Sequence, residues 1–226
     1  MPKVSVCIPT YNRRDYLPLA LKSVYAQTFK DYEILIVDDG SKDGTREMLQ
    51  ASGYTGRYYW FDHIGQQATR NKLLELAQGE YITFLDSDDE LFPHALEILV
   101  QMIDENGPDT LAFGPYVGLD ENGREIPRKQ RKVPIPFTTA DLFEYIYIHT
   151  GGTLFARRLY LKEGGFNANM RRCGTYRLML DFSMKYKCIG TDRPVWKKRR
   201  HGGNATEMNY EWRAMELKML EDFYYN

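Results

Sequence analysis

Four carboxylates stand within five consecutive positions, Asp86-Ser87-Asp88-Asp89-Glu90, directly after Tyr81-Ile82-Thr83-Phe84-Leu85. Carboxylates repel one another, and crowding them makes sense where a divalent cation with oxygen ligands sits among them. The five residues before them suit a buried strand. In a parallel α/β sheet the carboxyl ends of the strands are where ligands bind. The plainer alternative is a solvated acidic loop in which Asp88 or Asp89 caps the next helix.

Three other segments carry chemistry of the same kind. One strand-like run ends in Pro9-Thr10-Tyr11-Asn12-Arg13, another in Asp38-Asp39-Gly40-Ser41, and a helix begins Gly65-Gln66-Gln67-Ala68-Thr69-Arg70-Asn71. A ring that can stack (Tyr11), a carboxylate able to read N–H donors (Asp39), an arginine (Arg70) and an acidic metal-binding pair together suit a nucleoside diphosphate. A metal would supply the cation that the diphosphate needs. Asp39 as a turn former and Arg70 as a solvated helix residue are the ordinary alternatives.

These segments need a scaffold that brings them to one rim. Short β-branched or aromatic runs at 3–9, 33–37, 57–61 and 81–85 alternate with helical patterns at 15–27, 41–50 and 68–77. Such alternation predicts a mostly parallel sheet with right-handed crossovers. An apolar helix is expected from Pro93 to residue 103. Beyond residue 107 the pattern becomes mixed. Asp120-Glu121-Asn122-Gly123 is a hairpin turn between 110–119 and 125–126. A loop is expected over 128–136, helices over 139–147, 158–162, 178–186 and 207–224, and strands over 152–156 and 195–200. The expected arrangement is a single domain over 1–226 on one sheet, with an α/β front half (1–107) and a mixed rear half (108–226).

Bulk properties narrow the class. The chain has 226 residues, net charge −1 and 43% hydrophobic content, which suits a soluble globular protein with an ordinary core. That balance gives no drive toward nucleic acid. Cys7, Cys173 and Cys188 lack metal spacing, and so read as reduced thiols in a cytoplasmic setting. The N terminus runs straight into a strand instead of a secretory leader. No apolar run approaches the roughly 20 residues of a membrane helix. The basic stretches 124–132 and 193–201 read first as solvated faces. They also suit peripheral contact with an anionic membrane or a phosphorylated lipid carrier.

The sequence resembles the family 2 glycosyltransferases, which have the GT-A fold. The likeness is carried by Val6-Cys7-Ile8-Pro9-Thr10-Tyr11-Asn12-Arg13, by Val37-Asp38-Asp39-Gly40-Ser41-Lys42-Asp43-Gly44-Thr45, and by residues 79–89. It implies inverting transfer of a hexosyl or N-acetylhexosaminyl group, from a donor that is usually UDP-linked, with Mn²⁺ or Mg²⁺. The acceptor would be a saccharide or lipid-linked saccharide in surface polysaccharide or glycoconjugate synthesis. It further implies that Pro9 and Tyr11 line the base pocket and that Asp39 accepts the uracil N–H. Asp86, with Ser87 beside it, would face the ribose or donor, and Asp88 would ligate the metal. Gly151-Gly152 and Gly164-Gly165-Phe166 resemble the acceptor-side segment, where glycines let a sugar or a backbone come close. Arg199-Arg200-His201 resembles a late Arg-His element, which makes His201 a second candidate contact to metal or diphosphate.

One position departs from the family pattern. A Glu-Asp pair at a helix start is expected to supply the general base. Here Gly174 and Thr175 stand in its place, and neither can take a proton. Asp181, the next carboxylate, lies two helical turns on, roughly 10 Å away. Two other classes therefore stay open: a nucleotide-sugar-binding protein without turnover, and a nucleotidyltransferase. Against the latter, no glycine-rich phosphate loop with lysine follows the first strand.

Overall fold

The computed structural model describes residues 1–127, 132–170 and 174–202. Four strands, β1 (Val4–Thr10), β2 (Tyr32–Asp38), β3 (Arg57–Trp60) and β4 (Tyr81–Phe84), are mutually parallel, with β1 between β2 and β4. Every residue of β1 and β4 is buried. That explains their near-continuous apolar character, since a parallel strand is covered on both faces. The helices between them are α1 (Leu17–Tyr25), α2 (Thr45–Ala51) and α3 (Gln66–Leu76). Leu17, Ala20, Leu21 and Val24 of α1 are buried at helical spacing, and Pro18 sits in the first turn, where it removes no helical hydrogen bond.

The chain runs from β1 out through β2 to β3, then returns to place β4 on the other side of β1. This reversal opens a crevice at the carboxyl ends of β1 and β4, where doubly wound sheets bind ligands. After β4 come β5 (Glu90–Leu91), α4 (Ala95–Asn106), β6 (Leu111–Phe113), β7 (Tyr116–Leu119), β8 (Glu125–Ile126), α5 (Thr139–Glu144), β9 (Thr153–Ala156), α6 (Arg157–Lys162), α7 (Gly174–Lys185), β10 (Cys188–Gly190) and β11 (Trp196–Arg199). The large sheet runs β10-β6-β9-β4-β1-β2-β3, with β9 antiparallel to both of its neighbours.

The single sheet expected from the sequence is corrected here. The strands β5, β11, β7 and β8 form a second, four-stranded sheet. The two-residue β5 follows the acidic run directly and pairs antiparallel with β11, joining the front half to the rear. Element ends also shift. Helix α2 starts at Thr45 instead of residue 41, because Asp43 accepts hydrogen bonds from the Thr45 N–H and hydroxyl and holds the preceding loop. Helix α5 stops at Glu144, and α7 begins at Gly174, ahead of the expected 178. The helix expected over 207–224 lies outside the described residues, as does Cys173. Among the described residues, no helix is long and apolar enough to cross a membrane.

Gly151 and Gly152 are buried against the Trp196 ring. A Cβ on Gly152 would lie 2.3 Å from the indole Nε1 and 2.7 Å from the Gly114 carbonyl. The close approach that these glycines allow is therefore that of Trp196, and it locks β11 onto the start of β9.

Candidate functional site

The loop after β1 is tied to the loop after β2. The Ser41 hydroxyl accepts from the Asn12 N–H at 2.8 Å, the Asn12 side chain accepts from the Lys42 N–H at 2.8 Å, and Asp43 accepts from the Arg14 N–H at 2.9 Å. Asn12 adopts φ 51°, a left-handed conformation that asparagine tolerates and that turns the chain sharply here. Of the acidic pair ending β2, Asp38 is fully buried and structural, accepting from the Tyr58 hydroxyl and the Ser41 N–H. Asp39 lies on the cleft side. Its carboxylate accepts from the N–H groups of Ile64 (2.5 Å) and Gly65 (3.1 Å) and lies 3.3 Å from the His63 imidazole. Gly65 has φ 92°, which suits glycine and lets the chain enter α3 with its N–H aimed at Asp39.

An open cleft of about 510 Å³ lies over these strand ends, a size ordinary for a small-molecule site. Pro9, Tyr11, Asp39, Asp86, Ser87 and Asp88 all line it. Tyr11 is 44% exposed, and its ring lies against His63 at 4.7 Å between centroids. Arg70 is not part of the lining. It is buried behind it, donating to Asp86 at 2.8 Å and resting over the Phe166 ring. Asp88 meets His201 at 2.9 Å, a partner 113 positions away, and lies 3.5 Å from the Arg13 guanidinium. The His201 ring is stacked on Tyr16 at 4.5 Å.

The wall residues that sequence reasoning passed over are Thr10, Asn12, Arg13, His63, Gln66, Thr69, Asp89 and Lys198. His63 follows β3, so its position at a parallel strand end was a usable signal. Asn12, Arg13 and Asp89 stood inside the quoted motifs without a role. Lys198 stood in the basic stretch 193–201, and because its strand belongs to the second sheet nothing local set it in this cleft. The basic stretch 193–201 is not simply a solvated face either. Arg199 is buried, paired with Glu90, and its backbone N–H donates to Asp89 at 2.9 Å.

At the base position, Gly174 opens α7 and is buried against Gln67, whose side-chain oxygen has no hydrogen-bond partner among the described residues. Asp181 is paired with Arg177 at 3.1 Å and does not line the cleft. The structure therefore brings Pro9, Tyr11, Asp39, Asp86, Ser87, Asp88 and His201 to one place and leaves Asp181 out of it.

Asp89 is almost wholly buried. Burial first, then the neighbouring Asp88 and Asp86 charges, push its carboxyl well above the usual carboxylate range. Between the unfolded value of about 4 and that raised value, the folded state holds the extra proton, so stability falls as pH rises through this window. Asp89→Asn keeps an oxygen for the Arg199 N–H and removes the buried charge. Thermal melts should show the variant more stable than the parent at pH 8, with the gain shrinking toward pH 4. A lower melting temperature at pH 8 would count against this account of Asp89.

The model of the "Glycosyl transferase family 2" family matches residues 5–165, more than half of the sequence. The chain belongs to this family. Among its relatives, an uncharacterized glycosyltransferase of Rickettsia felis is 33% identical over 213 residues, covering 92% of this chain and 34% of its own. A second is the GalNAc(5)-diNAcBac-PP-undecaprenol β-1,3-glucosyltransferase of Campylobacter jejuni. It is 42% identical over 110 residues, covering 46% of this chain and 36% of its own. The chain thus spans about a third of the length of these curated relatives. Among solved structures, S. aureus TarS in complex with UDP-GlcNAc has a TM-score of 0.77 at 20% identity, covering 97% of this chain and 66% of that one. That likeness establishes the fold, and the large, mostly parallel sheet flanked by helices is the one expected for family 2.

Proposed function

We propose that this family 2 chain transfers a sugar from a UDP-linked donor to a saccharide or lipid-linked saccharide acceptor, with Mn²⁺ or Mg²⁺ bound alongside the donor. The observation that carries the reading is the meeting of three strand ends, from β1, β2 and β4, with the Asp88–His201 pair in one cleft. The solved TarS complex holds UDP-GlcNAc, and the Campylobacter relative is named for a lipid-linked substrate; both support the reading. In it, residues 1–107 handle the donor and 108–226 the acceptor, as one cytoplasmic domain that reaches a lipid-linked acceptor at the membrane face.

Tyr11 would stack on the base beside Pro9. Asp39 would accept the uracil N–H with the lone pairs not used by Ile64 and Gly65. Asp86, steadied by Arg70, would face the ribose, with Ser87 beside it. Among the described residues no cluster of three or more His, Cys, Asp and Glu side chains is arranged for a metal. The residues that would hold a cation are Asp88 and His201, 2.9 Å apart, with phosphate and water left to fill its other positions; the carboxylate suits either ion and the imidazole suits Mn²⁺. Such a cation supplies charge stabilisation for the leaving diphosphate.

The test is base selectivity. Thermal shift and calorimetry should show UDP preferred over ADP. Asp39→Asn keeps an oxygen for the His63–Gly65 turn but turns an amide donor toward the base. It should lose most of that preference, because a hydrogen bond to a charged group is worth about 1.5–3 kcal/mol. Equal affinity of the unmodified protein for UDP and ADP would sink the reading. A second reading, donor binding without turnover, is favoured by the glycine at 174 and the distant Asp181.

A further inference from the structure

The cleft holds four carboxylates, and each already has a partner. Asp39 is held by the Ile64 and Gly65 N–H groups, Asp86 by Arg70, Asp88 by His201 and Arg13, and Asp89 by the Arg199 N–H. The cations along the wall are accounted for in the same way, with one exception. Arg13 lies against Asp88, and Arg199 is buried on Glu90. Lys198 lines the cleft and makes no ion pair among the described residues, although its charge acts on the buried Asp89 carboxyl. Its neighbours on β11 point elsewhere: Lys197 sits over the Phe92 ring at 4.8 Å, and Arg199 lies on the same side. Strand alternation turns Lys198 to the opposite side, where the Tyr116 ring lies 5.8 Å from its ammonium.

The backbone fixes where that ammonium can reach. The Arg199 N–H is bonded to Asp89 and the His201 ring to Asp88, so Lys198 is carried by the strand that clamps the acidic loop on either side. We infer that Lys198 is a binding residue for the donor's diphosphate, a positive charge on the wall of the cleft that Asp88 also lines. The inference rests on the proposed UDP-linked donor and gives one residue of the basic stretch 193–201 a role at that donor. It means that part of the diphosphate's charge is met by the protein itself, so donor binding keeps a component that does not depend on the divalent cation.

The experiment measures binding of UDP and of uridine by calorimetry, each in EDTA and in Mn²⁺, for the unmodified protein, Lys198→Ala and Lys198→Arg. A hydrogen bond to a charged group corresponds to about tenfold to a hundredfold in affinity. In EDTA, Lys198→Ala should therefore weaken UDP by that factor and leave uridine unchanged, while Lys198→Arg should retain most of the affinity. Equal UDP affinity of Lys198→Ala and the unmodified protein in EDTA would overturn the inference while leaving the donor reading intact. Equal losses for uridine and UDP would also overturn it, because the lysine would then be shaping the pocket and not meeting phosphate. An unmodified protein that binds no UDP in either condition overturns the donor reading and this inference with it.

Discussion

Asp88→Asn is expected to abolish the metal-dependent part of UDP binding and to cut sugar transfer by about 10²–10³-fold, the size of several kcal/mol of lost charge stabilisation. The substitution is nearly isosteric. Its oxygen can still accept from His201 and Arg13, so the loop should keep its shape and the melting temperature without ligand should stay close to that of the parent. What changes is the charge offered to a cation. Titrating Mn²⁺ into protein with UDP should give a saturable gain in affinity for the parent and none for the variant. If the variant shows the same Mn²⁺-dependent gain, Asp88 is not a ligand, and the acidic run is a structural loop clamped by basic neighbours.

The second large effect concerns the absent base. A positioned general base contributes about 10²–10⁴-fold, so the unmodified chain should transfer sugar slower than an ordinary family member by that factor while binding donor normally. Gly174→Glu with Thr175→Asp should restore much of the loss without changing UDP affinity. The position can take a side chain: a Cβ there would meet the Gln67 amide at 3.1 Å, the movable end of a side chain whose oxygen lacks a partner among the described residues. Steady-state rates with a UDP-sugar panel and a glycan acceptor decide the matter. Turnover of roughly 1–10³ s⁻¹ in the unmodified protein would mean that another group takes the proton. Asp181 would be a poor candidate for it, held as it is by Arg177 outside the cleft lining.

Much of the front half was legible because its signals are local. Strands β1, β2 and β4 read as short apolar runs, since both faces of a parallel strand are covered, and their carboxyl ends carry the motif residues. The rear half resisted for physical reasons. Strands of three residues, such as β6 and β10, leave no periodicity to detect. The second sheet depends on pairings between β5, β7 and β11, and no local pattern announces a partner at that distance. The same holds within the site. Tyr11, Asp39 and Asp88 stand at strand ends, and the family resemblance added His201 as a further contact to metal or diphosphate, whereas its direct contact with Asp88 and the cleft position of Lys198 come from the fold. Asp38 and Asp39 illustrate the limit well. Adjacent and identical in type, they differ in role because strand alternation sends one carboxylate inward to Tyr58 and the other to the cleft.

The clamp of β11 on the acidic loop has a consequence for how the protein is made. The contacts from Arg199 to Asp89 and from His201 to Asp88 close loops of 110 and 113 positions, the kind of distant pairing that folds late. At synthesis rates of about 5–20 residues per second, some 6–22 s separate the appearance of the acidic loop from that of the strand that covers it. The parallel strands β1 to β4 can pair with one another during that interval, because the pairings among these four lie within the first 84 residues. The clamp cannot form then. A nascent chain halted before β11 would have the parallel strands and most of the cleft lining, but not the Arg199 N–H on Asp89 or the His201 ring on Asp88. The clamp on the acidic loop thus depends on the last-made part of the described chain, and the order of translation is also the order in which scaffold and clamp come into being.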